Sequence, residues 1–355
     1  MSDAITTRMG DGERITMAPA ELREEILAGT EDAAEKGNVP QLTDEELDAL
    51  YEIMAAPGRM VSVEPGKEVI VTDDGGTMSF YSGQDGGGVG VPMSRLQAIL
   101  TYERACGADT TSMGHSDYSY KPVKSIVNFE MNEYYTASQM TTAPFFYGAQ
   151  PNMGLYFQPD GPHPNPAELL GKGDIEGAKK TQEEAAQQLR KDLGFVVRKL
   201  DTVGCEGINF DTSGSAGDAD YLAALQAVRD LKKDLPHMPV ILGASGEFVL
   251  GMHGSIEFDG KRLAGMYPHD QVKMAQAAGA DMVGVAVNTN TNESVAWNLA
   301  RATTFVKAAS EASEIPVHVN VGMGVGGVPM MEQPPIDSVS RVSKTLVELG
   351  KADGL

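Results

Sequence analysis

The residues that could do chemistry fall in four short polar segments, each following an apolar run. NFDTSGSAGDAD supplies Asn209, Asp211, Thr212, Ser213 and Asp218, and ASGEFVLGMHG supplies Ser245, Glu247 and His253. NTNTNES supplies Asn288, Asn290 and Asn292, and HVNVGMGVGG supplies His318 and Asn320. Two carboxylates on neighbouring segments, Asp211 and Glu247, can share one site, hold a cationic substrate or trade a proton with it. The amides Asn209, Asn288, Asn290 and Asn320 can orient a small polar substrate, and His253, in a loop after Gly251, is a further candidate contact. No Lys, Cys or Ser stands poised as a nucleophile at a strand end. The set reads as a site prepared for a reactive group that this chain does not contain.

Each candidate also has a structural reading. Asp211 and Asp218 stand near the start of the helical stretch DADYLAALQAVRDL, where either can serve as an N-cap. His318 lies inside an apolar run and suits a satisfied core histidine. NTNTN can be turn chemistry. GMGVGG (322–327) satisfies GxGxxG after a strand, but VPMMEQPP follows before any helix, so no helix N-terminus would face a phosphate. His163 and His269 lack the paired spacing of a metal site, and no metal is expected. The Gly run in QDGGGVGVP lacks the Lys-Ser/Thr of a P-loop and reads as a connector.

The elements that position these residues follow a rhythm. Apolar runs at 125–129 (SIVNF), 143–149 (APFFYGA), 207–211 (GINFD), 239–244 (PVILGA), 281–288 (DMVGVAVN) and 316–320 (PVHVN) alternate with amphipathic stretches such as WNLARATTFVKAASEAS. Continuous apolar strands alternating with helices predict an α/β fold whose parallel sheet is buried on both faces. A (β/α)8 TIM-type barrel is favoured over a doubly wound sheet, and six units place it two strands short of closure. Residues 1–122 are expected to form an N-terminal helical and β-hairpin lobe, and 123–355 the incomplete barrel. In the lobe, Thr43 and Glu46 form a capping box, and the alternation and turn residues of MVSVEPGKEVIVTDDGGTMSFYSG predict a hairpin.

Composition narrows the partners. With 28 Lys+Arg against 50 Asp+Glu, the 355 residues carry a formal net charge of −22, which opposes nucleic acid and anionic membranes. That charge serves solubility or adaptation to a salty cytoplasm. Hydrophobic residues make up 41 % of the chain, enough for a sizeable core. The two cysteines, Cys106 and Cys205, show no metal or disulfide spacing and fit a reducing compartment. No signal sequence and no run long enough for a membrane helix is found, so a soluble, cytoplasmic protein is expected.

The segments RMGDG, PGRMVSVEPGKEVIVT, GVGVPMSRL, GHSDYSYKPVK, FFYGAQPNMGLYFQPDGP, GINFDTSGSAGDAD, GEFVLGMHG, NTNTNESVAWNLARATTFVKAA and HVNVGMGVGGVPMMEQPPIDSVSR resemble the dimethylamine:corrinoid methyltransferases of methylotrophic methanogens, which are archaea. The resemblance is collinear from about residue 8 to Leu355. It implies a (β/α)8 barrel carrying pyrrolysine, whose electrophilic imine takes up dimethylamine and presents a methyl group to Co(I) of a separate corrinoid protein. Methyl-Co(III) and monomethylamine result. In that family the phrase resembling VELGKADGL is followed directly by pyrrolysine, so the chain is expected to be the part read before an amber codon, inactive alone. Asp211 and Glu247 would then handle the proton, while the amides orient imine and substrate. The implied partners are dimethylamine, the cognate corrinoid protein and further copies of the same chain. The competing reading is a complete barrel-type lyase or aldolase acting on a small carbonyl substrate.

Overall fold

PVILGA, GINFD and DMVGVAVN are short runs of branched residues without polar alternation, and each becomes a strand with neither face exposed. The computed structural model describes residues 4–67, 69, 71–74, 79–81, 90–92, 110–117, 146–150, 153–202, 204–322, 324–331 and 334–355. Its first elements are strands β1 (Ile5–Arg8) and β2 (Arg14–Met17), an antiparallel pair closed over Gly10–Gly12. Helices α1 (Pro19–Gly37) and α2 (Asp44–Ala55) follow. The expected capping box is present on α2: the Glu46 amide donates to Thr43 Oγ1 at 3.3 Å, and the Thr43 amide to Glu46 Oε2 at 2.9 Å.

Next come β3 (Val71–Asp74), β4 (Ser79–Tyr81), β5 (Gly90–Pro92), β6 (Thr110–Asp117) and β7 (Phe146–Gln150). Then α3 (Pro166–Gly171) and α4 (Ile175–Asp201) lead to β8 (Gly207–Ser213), α5 (Asp218–Asp234) and β9 (Val240–Ala244). The short hairpin β10 (Glu257–Phe258) and β11 (Lys261–Arg262) precedes α6 (Pro268–Ala278), β12 (Met282–Val285), α7 (Val295–Ala312), β13 (Val317–Val319) and α8 (Ile336–Glu348).

Among the described residues the main sheet has seven strands in the order β13-β12-β9-β8-β7-β6-β3, all parallel. Strand order follows chain order throughout, without the reversal that defines a doubly wound sheet. Beyond β13, Gly354 bridges in parallel to His318, the Val319 amide donating to Gly354 O at 3.1 Å. The count of six strands therefore changes. The run SIVNF lies outside the described residues, while β3 and β6 join the sheet from the N-terminal side of the boundary expected at 122/123. β3 was expected in a hairpin; instead β4 pairs with β5 and β3 pairs in parallel with β6. TTSMGHSD, the β6 segment, has too few apolar residues to read as a buried strand.

The helices pack in chain order, α4 on α5, α5 on α6, α6 on α7 and α7 on α8, with α1 laid along α7. Gly29 of α1 stands where a Cβ would strike the Trp297 carbonyl, so this glycine sets the close approach of the two helices. Thr30 and Thr304 share a hydrogen bond of 2.8 Å across the same contact. Among the described residues no helix is long and apolar enough to cross a membrane.

Candidate functional site

Asn209 and Asp211 are two residues apart on β8 and so point to the same face of the sheet. That face meets Gly243 of β9, Gly284 of β12, and His318 and Asn320 at the end of β13; with Ile241 these residues enclose a void of about 10 Å³. The two glycines keep it open. A Cβ on Gly243 would lie 3.1 Å from Asp211 Oδ1 and 3.4 Å from Asn209 Oδ1, and one on Gly284 would lie 3.2 Å from the Gly243 Cα and 3.5 Å from His318 Nδ1.

Asp211 sits in an irregularity of β8, where the register with β9 shifts between Phe210 and Ser213. The next residue, Thr212, takes a left-handed φ of 49°, strained for a β-branched side chain, and its amide donates to Asp211 Oδ1 at 2.8 Å. Bulges re-aim side chains at strand ends, and this one aims a carboxylate into the sheet interior. Burial pushes the His318 pKa down to about 4 against a hydrogen bond with the Leu355 backbone, so the ring is neutral at pH 7. Asn209 is 5 % exposed, and its Oδ1 is buried without a hydrogen-bond partner.

A second, larger cavity of about 480 Å³ opens at the same ends of the strands. Its walls include Ser245, Glu247 and Phe248 after β9, Asn288 and Asn290 after β12, and Trp297 and Arg301 of α7. Arg301 holds Glu247 through two 2.5 Å hydrogen bonds and Asp32 of α1 through one of 2.6 Å; Lys36 pairs with Asp32 at 2.8 Å. Burial acts against the Arg301 charge, but the two carboxylates outweigh it and raise its pKa. The four charges cancel within one network.

The expected pairing of Asp211 with Glu247 is therefore not found. Asp211 lines the interior void with Asn209 and Asn320, whereas Glu247 lies in the larger cavity, bound to Arg301, beside Asn288 and Asn290. Asn290 does turn work as well: its Oδ1 accepts from the Asn292 amide at 3.0 Å. His253 lines neither cavity. Its Nδ1 lies 3.0 Å from Asp218 Oδ1 and its Nε2 3.1 Å from the Lys179 carbonyl, so the ring clamps its loop onto α4 and α5. Asp218 is fully buried, accepting also from the Gly254 amide at 2.8 Å, and neither it nor Asp211 is the N-cap of α5. The N-cap is Gly217, which has no side-chain cap hydrogen bond; Asp220, in the first turn, accepts from the Ala216 amide at 2.9 Å, and burial raises its pKa to about 6.

The residues that sequence reasoning missed lie on α7. Arg301 and Asn298 are buried polar groups on the face that carries Leu299, Ala302 and Phe305, and a cation among alanines was the available signal. Asn298 ties down the loop after β12, its Oδ1 accepting from the Asn290 amide at 2.7 Å and its Nδ2 donating to the Asn290 carbonyl at 2.8 Å. Residues 324–327 turn against that loop, with the Thr289 amide donating to Gly324 O at 2.8 Å, and α8 begins only at Ile336. Among the described residues no cluster of His, Cys, Asp and Glu could hold a metal ion.

A family model described as dimethylamine methyltransferase matches residues 3–355. Among solved structures, a Corynebacterium glutamicum protein, Cgl0159, is similar at 11 % identity, with 79 % of this chain and 81 % of that chain covered and a TM-score of 0.30.

Proposed function

The chain belongs to the dimethylamine methyltransferase family, and from that premise we propose that it serves transfer of a methyl group from dimethylamine to Co(I) of a corrinoid held by a separate protein, leaving monomethylamine. The observation that carries the reading is the convergence of Asp211, Asn209, Asn320 and neutral His318 inside a parallel sheet, at the ends of its strands. We read that sheet as part of a (β/α)8 barrel: strand and chain order coincide, and Gly354 takes the place of an eighth strand beside β13. In such barrels, chemistry sits at the C-terminal ends of the strands.

Dimethylamine is a cation at neutral pH and must shed a proton before its nitrogen can attack. Asp211 is the acceptor, aimed inward by the bulge. His318, neutral at pH 7, places no positive charge against the incoming ammonium. Asn209 and Asn320, beside Asp211, orient the substrate. Pyrrolysine, which this chain does not contain, supplies an electrophilic imine when present. The larger cavity of about 480 Å³ at the same strand ends has room for that group, with Asn288 and Asn290 on its wall. The Leu355 backbone meets the His318 ring. Glu247 is a positioning residue in this reading, fixing the loop after β9 to α7.

The corrinoid protein must bring cobalt to the mouth of the sheet. Phe248, Leu250 and Met252 after β9, and Met330 and Met331 after β13, are exposed large apolar side chains on loops at that end. An apolar rim lets a partner approach a chain of net charge −22 without depending on charge. The test uses the native protein, the reduced corrinoid protein and dimethylamine, following Co(I) and methyl-Co(III) absorbance and release of monomethylamine. Methyl transfer is expected, with Asp211→Asn lowering its rate by about 100-fold or more. Transfer from another methylamine but not from dimethylamine would refute the substrate, and an unaltered rate in Asp211→Asn would refute the site.

A further inference from the structure

The interior void has the dimensions and chemistry of a single bound water. Its volume of about 10 Å³ is close to the least that admits one water, roughly 10–15 Å³ on the same measure. A buried water also needs two to four polar partners, and apolar voids stay dry. Among the described residues the lining offers the Asn209 amide, the Asp211 carboxylate, the His318 ring and the Asn320 amide, with Ile241 as a large apolar wall. An independent sign is Asn209 Oδ1, buried on a side chain 5 % exposed and without a protein partner. A buried acceptor left unpaired is costly and rare. The glycines complete the picture, since a methyl group at 243 would stand 3.4 Å from Asn209 Oδ1 and 3.1 Å from Asp211 Oδ1.

We propose that this void holds a permanently bound water, which donates to Asn209 Oδ1 and joins it to Asp211, Asn320 and His318 as a fixed part of the interior site. One donor of the water satisfies Asn209, and its second reaches an acceptor on Asp211 or His318. Its lone pairs remain free for the Asn320 amide. The water holds the Asn209 amide in one orientation. A dimethylammonium nitrogen carries two methyl groups and needs far more space, so substrate lies beside this position and not in it.

The test is a crystal structure of the native protein at a resolution where buried waters are visible, collected without amine and again after soaking in dimethylammonium chloride. The expected result is one density peak within about 2.7–3.2 Å of Asn209 Oδ1 in both crystals. An empty void, or a peak present only after the soak, overturns the proposal; the latter would make the void a substrate subsite. Asn209→Leu, nearly equal in shape, gives a second readout by thermal unfolding. If Asn209 bonds a water, the variant strands it and Tm falls by roughly 2–4 °C. If Oδ1 is unpaired in the native protein, removing it raises Tm, and the proposal fails. Neither readout depends on methyl transfer, so the proposal can fail or stand apart from the function.

Discussion

Acidification should act on this protein through two buried groups that oppose each other. His318 has an ordinary value of 6.5 and a folded value of about 4. Its neutral form is the folded one, so its contribution is fully present above pH 6.5 and is lost as the pH falls toward 4, where the unfolded chain takes up a proton that the folded chain refuses. The difference of 2.5 pH units corresponds to about 3 kcal/mol at 1.36 kcal/mol per unit. Asp220 has an ordinary value of 3.8 and a folded value of about 6. Its buried carboxylate is a burden above pH 6, and protonation relieves it as the pH falls from 6 to 3.8. The folded state binds its proton first and gains about 3 kcal/mol, from a difference of 2.2 units.

In the wild type the two terms nearly cancel between pH 6.5 and 4. Single variants should unmask them. Denaturant unfolding of wild type, His318→Gln, Asp220→Asn and the double variant at pH 7, 5.5 and 4 is the assay. Relative to wild type, His318→Gln should gain about 3 kcal/mol on going from pH 7 to 4, and Asp220→Asn should lose about as much, the double variant tracking the wild type. Exposed and ion-paired carboxylates, which include Asp32 and Glu348 with lowered values, titrate in all four proteins and drop out of the differences. A His318→Gln difference that stays constant over this range, within about 0.5 kcal/mol, would refute the burial argument for the ring.

Three further outcomes follow from the same geometry. Arg301→Met should destabilise by about 3–5 kcal/mol, because it leaves Glu247 charged with a side chain only 13 % exposed; Arg301→Met combined with Glu247→Gln should recover part of that loss, and a single-variant cost below about 1 kcal/mol would mean the pair is solvated. His253→Ala should cost about 2 kcal/mol through the loss of its bonds to Asp218 and Lys179, with KM for dimethylamine unchanged; a raised KM at unchanged stability would make His253 a substrate contact after all. Gly243→Ala, whose methyl would crowd Asp211 Oδ1 at 3.1 Å, should slow methyl transfer by about tenfold or more with folding retained, since small misplacements at a reacting centre are expensive; steady-state rates check it.

β8, β9, β12 and β13 were legible because burial on both faces leaves uninterrupted apolar runs, β7 because it falls in the run APFFYGA, and the capping box of α2 because its two hydrogen bonds need fixed residue types three apart; the two-residue strands β10 and β11 are too short and polar to show. β6 was not legible, since TTSMGHSD carries no apolar signature. The β1–β2 pair was missed although ITTR and RITM flank a Gly-Asp-Gly turn; four residues on each side give too short an alternation to stand out. At the site, the strand ends pointed to Asp211, Asn209 and Asn320, because residues just past apolar runs must emerge where the strands stop. His253 misled because a loop position after Gly251 says nothing of where the ring turns, and here it turns onto two acceptors under the loop. Arg301 and Asn298 could be found only by asking why a helix buries a cation and an amide.

The separation of Asp211 from Glu247 follows from strand parity and from where the chain leaves the sheet. Asp211 shares its face with Asn209, and across β9 that face carries Ile241 and Gly243. One residue beyond Gly243 the strand ends at Ala244, so alternation no longer fixes the direction of Glu247. What fixes it is the cation on α7: a carboxylate leaving the sheet beside an Arg side chain 6 % exposed finds its best partner there, through two short hydrogen bonds. Arg301 needs that carboxylate as much, because Asp32 alone would already be shared with Lys36. Among the described residues, the lining of the interior void is thereby left with one carboxylate beside a neutral imidazole. One acid can take one proton from an ammonium without a second negative charge forcing it to stay protonated, and that division of labour suits proton removal from a small amine better than the paired acids that strand-end position alone suggested.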